Sequence, residues 1–549
     1  MSQFASLLNT ELKPVVQWAE VSSSLQIPAF HIVGLPGREV AEARERVRAA
    51  IEASGLEFPR RRVVLNLSPA YIPKRGTGAD LTIALAVLAS CASEASLRKS
   101  ALSDPNFRVL AWAELGLDGS LKNMGQLTRA VYACWSSGIQ QLIVAESELT
   151  SAIAARELIA GARIFETPAP AVCGVSRLEE AWSFLQKGPA SDRSYSIEAQ
   201  KSVENPVKTL RFPPASNGLL PLSPSLERAI GVSIAGAHHL MILGPKGTGK
   251  SHSLSWIRAL QPEAPLFLQV QQRLLNELES EKKQDARSHA ASPSAHTCNS
   301  TELLPFRTVG AHARPAALLG SCHAGGVRPG EFSLANGGVL VADEILEWPR
   351  DTRECLREPM ESGTVTLTRA QASVELPARF RLAATGNLCP CGGWPPELRL
   401  SDDLNAPSCR CSPHERTRYL KKLSGPVLDR TDLVLLAQRA PVAAGFARDQ
   451  MEGRTSLLRQ RIALTQERML KAWKALPGEM SGAQIEEIFS GSTGDQDFFR
   501  DFSLRGRHKI LRLALSLSAW DHTNENQLKL PGLAHLTEAS LYRPERLGI

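Results

Sequence analysis

Short β-rich apolar runs alternate with Ala-rich stretches of helical spacing along the first part of the chain. FHIVGL, RRVVLNL, FRVLAWAELGL, QQLIVA and GARIFE supply the strand signals and predict an α/β domain over residues 1–188. Residues 189–216, PASDRSYSIEAQKSVENPVKTLRFPPAS, are polar, carry little periodicity and predict a linker. Strand and helix alternate again over 217–439, where HLMILG, GGVLVADE, FRLAATGN and LDRTDLVLL are the strand candidates. Inside that stretch ESEKKQDARSHAASPSAHTCNS, from Glu279, lacks periodicity and predicts a surface loop. Residues 440–549 predict a small α-helical lid, from the apolar spacing of SLRGRHKILRLALSLSAW and a final helix from Gly532.

Composition narrows the class. A chain of 549 residues exceeds one ordinary core, so several domains are expected, and 43% apolar residues permit well-buried ones. The formal charge of +7 suits a polyanionic partner without demonstrating one. MSQFASLLNTELKP has neither a basic start nor a continuous apolar region, and LTIALAVLASCA, from Leu81, is well short of the roughly 20 residues that cross a bilayer. The expectation is a soluble, cytoplasmic protein with no membrane partner. Ten cysteines are then expected as free thiols rather than a disulfide framework.

The chemistry begins at GPKGTGKS, residues 244–251, which satisfies G-x-x-x-x-G-K-[ST] between an apolar strand and a helix. The loop of Gly244, Pro245, Lys246, Gly247, Thr248 and Gly249 would cradle phosphates through its backbone N–H groups, which Pro245 alone lacks, Lys250 would reach the β and γ phosphates of ATP, and Ser251 would ligate Mg²⁺. GGVLVADE, residues 337–344, puts two acids at the end of a buried strand. Asp343 would hold Mg²⁺ through water and Glu344 would polarise the attacking water, although such a pair also suits a helix N-cap. Asn387, after RFRLAATG, could position water near the γ-phosphate or simply occupy a turn. Arg430 in GPVLDRTDL is a candidate arginine finger, and Arg505 in SLRGRHKILR could touch phosphates from the lid.

The order of these motifs, with RPGEFSLANGGVLVADEILEW, LREPMESGTVTLTRAQASVELPARFRLAATGNLCPCGG and SGPVLDRTDL between P-loop and lid, resembles the magnesium-chelatase-like AAA+ ATPases of the ComM/YifB group over most of 219–549. The resemblance implies a homo-oligomeric ring, usually a hexamer, with ATP between subunits. It implies that Lys250, Ser251, Asp343, Glu344 and Asn387 act within one subunit, that Arg430 acts across the interface, and that Arg505 falls at sensor 2. IVGLPGREVAEARERVRAAI, NLSPAYIPKRGTGADLTIALAVL and WAELGLDGSLKNMGQLTRAVYACWSSGIQQLIVAE likewise resemble that family's N-terminal domain, which is similar in fold to the Lon protease domain. A Lon-type dyad needs a serine and a lysine; the corresponding positions fall near Gly78 and Thr128, so peptidase activity is not expected. The chain departs from the family at GPKGTGKS in place of GPPGTGKT, at GAHARPAALLG around His312, and before the P-loop, where PLSPSLERAIGVSIAG lacks the usual V-x-G-Q.

Cys389, Cys391, Cys409 and Cys411 form two C-x-C pairs, a set that suits a tetrahedral structural Zn²⁺ as well as four reduced thiols. TVTLTRAQASVEL, residues 364–376, alternates as a β-hairpin does, and Arg369 or Gln371 at its tip could touch a DNA backbone if the hairpin lines a ring. The resemblance implies an ATP-driven helicase acting on single-stranded or branched DNA in branch migration, recombination and transformation. The alternative is a chelatase- or MoxR-like ATPase that remodels a protein partner.

Overall fold

The computed structural model describes the chain except residues 1–2, 9–11, 71, 73, 75, 93–99, 188–193, 196–211, 213–218, 288–302, 324–325, 370–371, 396–408, 424, 438–447, 491–497, 501, 523–527 and 545–549. Most of the predicted linker thus lies outside the described residues. Two mixed α/β layers carry the fold. The first is an eight-stranded sheet in the order Ser194–Tyr195, Ala171–Val175, Gln141–Ala145, Val109–Trp112, Phe4–Leu8, Val15–Ser24, Arg62–Ser68, Ala29–Val33. Alternation decides which face each side chain serves. Val109 and Ala111 join the core formed with helices Arg38–Ala53 and Asp80–Cys91, while Leu110 and Trp112 join the opposite core with helices Leu127–Ser136 and Leu149–Gly161.

Three expectations are corrected here. GARIFE is not a strand: Gly161 ends a helix, Phe165 packs on Tyr132 and Trp135, and the strand is the next apolar run, Ala171–Val175. Two further strands, Phe4–Leu8 and Val15–Ser24, precede the first one predicted, and all five residues of Phe4–Leu8 are buried. The stretch from Glu279 is helical as far as Arg287, because ESEKKQDAR is built largely of good helix formers and simply continues helix Leu266–Arg287.

That long helix joins the two layers. Its Val270 and Leu274 sit in the core of the first layer with Leu127, Val131 and Ile159. The half-buried Glu277 carboxylate accepts N–H bonds from Thr128 (3.1 Å) and Arg129 (2.9 Å), capping helix Leu127–Ser136 from outside its own layer.

The second sheet is parallel throughout, in the order Phe306–Val309, Val339–Ala342, Arg381–Gly386, Leu240–Leu243, Leu433–Leu436. Both faces are covered, which is why its strands are nearly all apolar. Leu240, Ile242, Val339, Val341 and Leu433 meet helix Pro224–Ala235 and the C-terminal helices Arg448–Trp473, Gly482–Phe489, Leu504–Asp521 and Leu533–Leu541. Met241, Leu243, Leu340, Ala342, Leu382 and Ala384 face the other core. The expected hairpin is present as antiparallel strands Thr364–Arg369 and Ala372–Pro377. No helix among the described residues is long and apolar enough to cross a membrane.

Gly78 has no room for a side chain: a Cβ there would lie 2.3 Å from the Trp112 ring, whose indole N–H is held by the Gly125 carbonyl at 2.8 Å. Gly78→Ser should therefore destabilise the first layer by about 1–3 kcal/mol through overpacking. Thermal unfolding should show a lowered midpoint; an unchanged midpoint would mean that the Trp112 ring yields freely.

Candidate nucleotide site

Strand Leu240–Leu243 delivers the chain to the phosphate loop and helix Lys250–Ala259 takes it away. The loop bends back through positive φ at Gly247 (80°) and Gly249 (79°), which glycine adopts without strain. The Gly244 and Lys246 N–H groups already donate to the carbonyls of Gly386 (3.1 Å) and Gly392 (2.8 Å), so the anion cradle expected of them falls to the N–H groups from Gly247 onward and to the N-terminus of helix Lys250–Ala259. Lys250 Nζ donates to the carbonyls of Gly244 (2.9 Å) and Pro245 (2.7 Å), and Thr248 Oγ1 donates to Pro245 (2.9 Å). Burial pulls the Lys250 ammonium down to about 8, against the opposing pull of Glu344 and Asp343.

The strand one removed, beyond Arg381–Gly386, supplies the acids. Asp343 and Glu344 follow Val339–Ala342, and Ser251 Oγ lies 3.4 and 3.5 Å from the two Asp343 carboxylate oxygens. A hydroxyl and a carboxylate converging beside a phosphate loop are the donor set that hydrated Mg²⁺ takes. Glu344 sits at φ 50°, a left-handed conformation unusual for glutamate, and its N–H donates to Thr385 Oγ1 at 3.0 Å. Thr385 in turn donates to Asp343 Oδ1. One hydroxyl thus orients both acids, a role that sequence reasoning missed; the available signal was the lone hydroxyl side chain in the strand RLAATG. Asn387, buried, follows the same strand, next to Gly386, whose carbonyl accepts the Gly244 N–H at 3.1 Å.

Arg430 and Arg505 meet elsewhere. Both pair with Glu361, Arg505 Nη2 at 2.7 Å from Glu361 Oε1 and Arg430 on Oε2. They line a cavity of about 350 Å³ with Lys509, Arg512 and His508, in which Glu361 is the one carboxylate among the lining residues. None of the phosphate-loop residues, nor Asp343 or Glu344, lines it. Arg430 is placed by the buried ion pair just behind it: Lys509 Nζ is 2.6 Å from Asp432 Oδ1 and also donates to the Arg430 carbonyl at 2.8 Å. The Lys509 ammonium beside it, with His238 and His239, holds the Asp432 carboxyl well below the usual carboxylate range against the desolvation of burial. Glu361 was invisible to sequence reasoning because it lies 69 residues from Arg430 and 144 from Arg505.

The four cysteines come together, with all four Sγ atoms within 4.8 Å of one another. Of the hairpin candidates, Gln371 lies outside the described residues, and Arg369 is described only as the end of its strand.

A parallel, doubly covered sheet with a phosphate loop and paired acids at its carboxyl edge defines a P-loop nucleotide-binding protein. Two family models match the chain: "Magnesium chelatase, subunit ChlI" over residues 223–444 and "Subunit ChlI of Mg-chelatase" over 19–148. The chain is 30% identical over 537 residues to "Uncharacterized protein YifB" of Escherichia coli, covering 95% of this chain and 93% of that one. It is 29% identical over 538 residues to the Salmonella typhimurium protein of the same name, covering 95% and 93%. Against "Competence protein ComM" of Haemophilus influenzae the identity is 29% over 533 residues, covering 95% and 94%. The chain belongs to the ComM/YifB family of magnesium-chelatase-like AAA+ proteins.

The lowered Lys250 value gives nucleotide binding a pH signature. Phosphate favours the ammonium, so affinity should be flat below about pH 8 and fall above it, by at most about tenfold per pH unit. Titration of a fluorescent ATP analogue between pH 7 and 9.5 checks this; a flat profile would mean that Lys250 keeps an ordinary lysine value.

Proposed function

We propose that this protein is an ATP-hydrolysing AAA+ motor that works as a homo-oligomeric ring on DNA, a helicase promoting branch migration in recombination and natural transformation. The observation that carries the reading is the division of the site. Lys250, Ser251, Asp343, Glu344 and Asn387 gather at one sheet edge, while Arg430 and Arg505 gather in a separate cavity. Hydrolysis needs both sets, since developing charge on the γ-phosphoryl oxygens requires guanidinium or equivalent stabilisation. A second copy supplies the missing set to each site, with Arg430 as finger and Arg505 as sensor 2; the hexameric number rests on the family resemblance.

Ser251 and Asp343 would hold Mg²⁺, which would supply neutralisation of the phosphate charge. Glu344 orients the attacking water and accepts its proton as the bond to the γ-phosphorus forms and ADP leaves. Asn387 steadies that water, Lys250 binds the β and γ oxygens, and Thr385 keeps both acids in line. The four-cysteine cluster fits a structural Zn²⁺. The eight-stranded layer is read as a Lon-like domain without its dyad, since the Trp112 ring fills the space beside Gly78 and Thr128 stands where a lysine is required. The C-terminal helices act as the lid.

DNA is favoured as the substrate by the ComM relative's description as a competence protein and by the antiparallel hairpin formed by Thr364–Arg369 and Ala372–Pro377. A remodelling ATPase acting on a protein is the competing reading, favoured by the magnesium-chelatase models. ATPase rates with and without single-stranded, duplex and forked DNA, followed by a Holliday-junction migration assay, separate the two. DNA should stimulate turnover, more weakly as salt rises, and junctions should migrate only with ATP. Lys250→Ala should fall to background, and Glu344→Gln should retain ATP without turning it over. Absence of both DNA binding at low salt and DNA stimulation would reject the helicase reading and leave the protein-remodelling one.

A further inference from the structure

The cysteine cluster stands against the phosphate loop, and its geometry is that of a metal knuckle. Cys389 and Cys391 Sγ are 3.4 Å apart, and Cys409 Sγ is 3.7 Å from each of them. A tetrahedral site with Zn–S bonds of about 2.3 Å has S···S edges of about 3.8 Å, so little movement closes a ligand shell. The backbone is already turned toward the sulfurs: Gly393 N–H points at Cys391 Sγ (3.4 Å) and Trp394 N–H at Cys389 Sγ (3.3 Å), bonds that favour thiolates.

Between those two cysteines and the two amides lies Gly392, which touches the phosphate loop directly. Its carbonyl accepts the Lys246 N–H at 2.8 Å. Its φ is 75°, and a Cβ there would fall 2.5–2.7 Å from Cγ, Cδ and Cε of Lys246. The Lys246 stem thus lies flat on a bare glycine. The other pair of cysteines leads to the acids: Cys411 is followed by helix Pro413–Leu420, capped by Ser412, and Tyr419 Oη donates to Glu347 at 2.6 Å, three residues after Glu344. Arg416 of that helix also lies over the Trp394 ring, 5.3 Å from its centroid.

We propose that Zn²⁺ bound by Cys389, Cys391, Cys409 and Cys411 is a brace of the nucleotide site, clamping the segment that holds Lys246 to the segment that reaches Glu347, so that metal occupancy sets nucleotide affinity. The inference rests on the phosphate loop binding nucleotide, as proposed above. Gly392 is the positioning residue through which the brace acts.

The test uses the full chain, zinc-loaded as purified, stripped by a chelator and reloaded with Zn²⁺ alone, with metal content, thiol count and the Kd of a fluorescent ATP analogue measured in each state. One zinc per chain is expected, with weaker nucleotide binding on stripping and recovery on reloading. Gly392→Ala should keep its zinc yet bind nucleotide about tenfold more weakly, from a left-handed alanine pressed against Lys246. This variant decides the matter if the stripped protein unfolds, since it retains all four thiols. Zinc-free protein as purified, stripped and folded protein with unchanged affinity, or a Gly392→Ala protein that binds as tightly as the parent would each overturn the brace. Failure of the zinc-loaded parent to bind nucleotide at all, with Lys250→Ala indistinguishable from it, would reject the nucleotide reading and the brace with it.

Discussion

The parallel register of three adjacent strands is the constraint on which the rest depends. Ala342 pairs with Ala384 and Leu243 with Gly386, so Asp343 falls beside Thr385, and the start of the phosphate loop falls beside Asn387. A one-residue slip would turn every apolar side chain toward the wrong core and separate Thr385 from the acids it orients. Burial on both faces makes such a slip costly. The same burial that fixes the register dries the edge where Lys250 sits, which is why its ammonium is held less firmly than an ordinary lysine's.

Lys250, Asp343 and Glu344 are held by a sheet, but Arg430 and Arg505 are held by an ion pair. Lys509 and Asp432 are both buried, and bringing two charges out of water costs several kcal/mol each unless geometry and further hydrogen bonds compensate. The compensation is visible: Asp432 also accepts the His239 N–H at 2.9 Å, and Lys509 also caps the Arg430 carbonyl. Losing one partner would leave the other charge stranded beneath the arginine cavity. Helix Leu504–Asp521 thus carries Arg505 and, four residues or about one turn later, the lysine that positions Arg430. Any shift of that helix moves both guanidiniums together, as coupling between the C-terminal helices and the proposed composite site requires.

Local features were legible in the sequence and register-dependent ones were not. GPKGTGKS needs only its own eight residues and a strand before it, and VLVADE announces itself by an apolar run that ends in acids. The hairpin at 364–377 and the C-terminal helices follow from periods of 2 and 3.6, and the structure carries them. Thr385 escaped notice because its importance comes from the strand beside it. Glu361 escaped because two distant arginines converge on it only in three dimensions. GARIFE misled because Phe165 is apolar for packing on Tyr132 and Trp135 just past a helix end rather than for a strand. The proximity of the cysteine knuckle to Lys246 was equally hidden, since 146 residues of sequence (392 minus 246) separate Lys246 from Gly392 and one backbone hydrogen bond joins them.

The central claim is that ATP hydrolysis is shared between copies of the chain, with Lys250 on one and Arg430 on the next. The most direct measurement is ATPase activity after mixing Lys250→Ala protein with Arg430→Ala protein, each inactive alone. Random mixing in equal amounts restores about a quarter of the interfaces, those that join an intact Lys250 to an intact Arg430, and activity should reappear in the mixture. A mixture as silent as its components, under conditions where they co-assemble, would contradict the account.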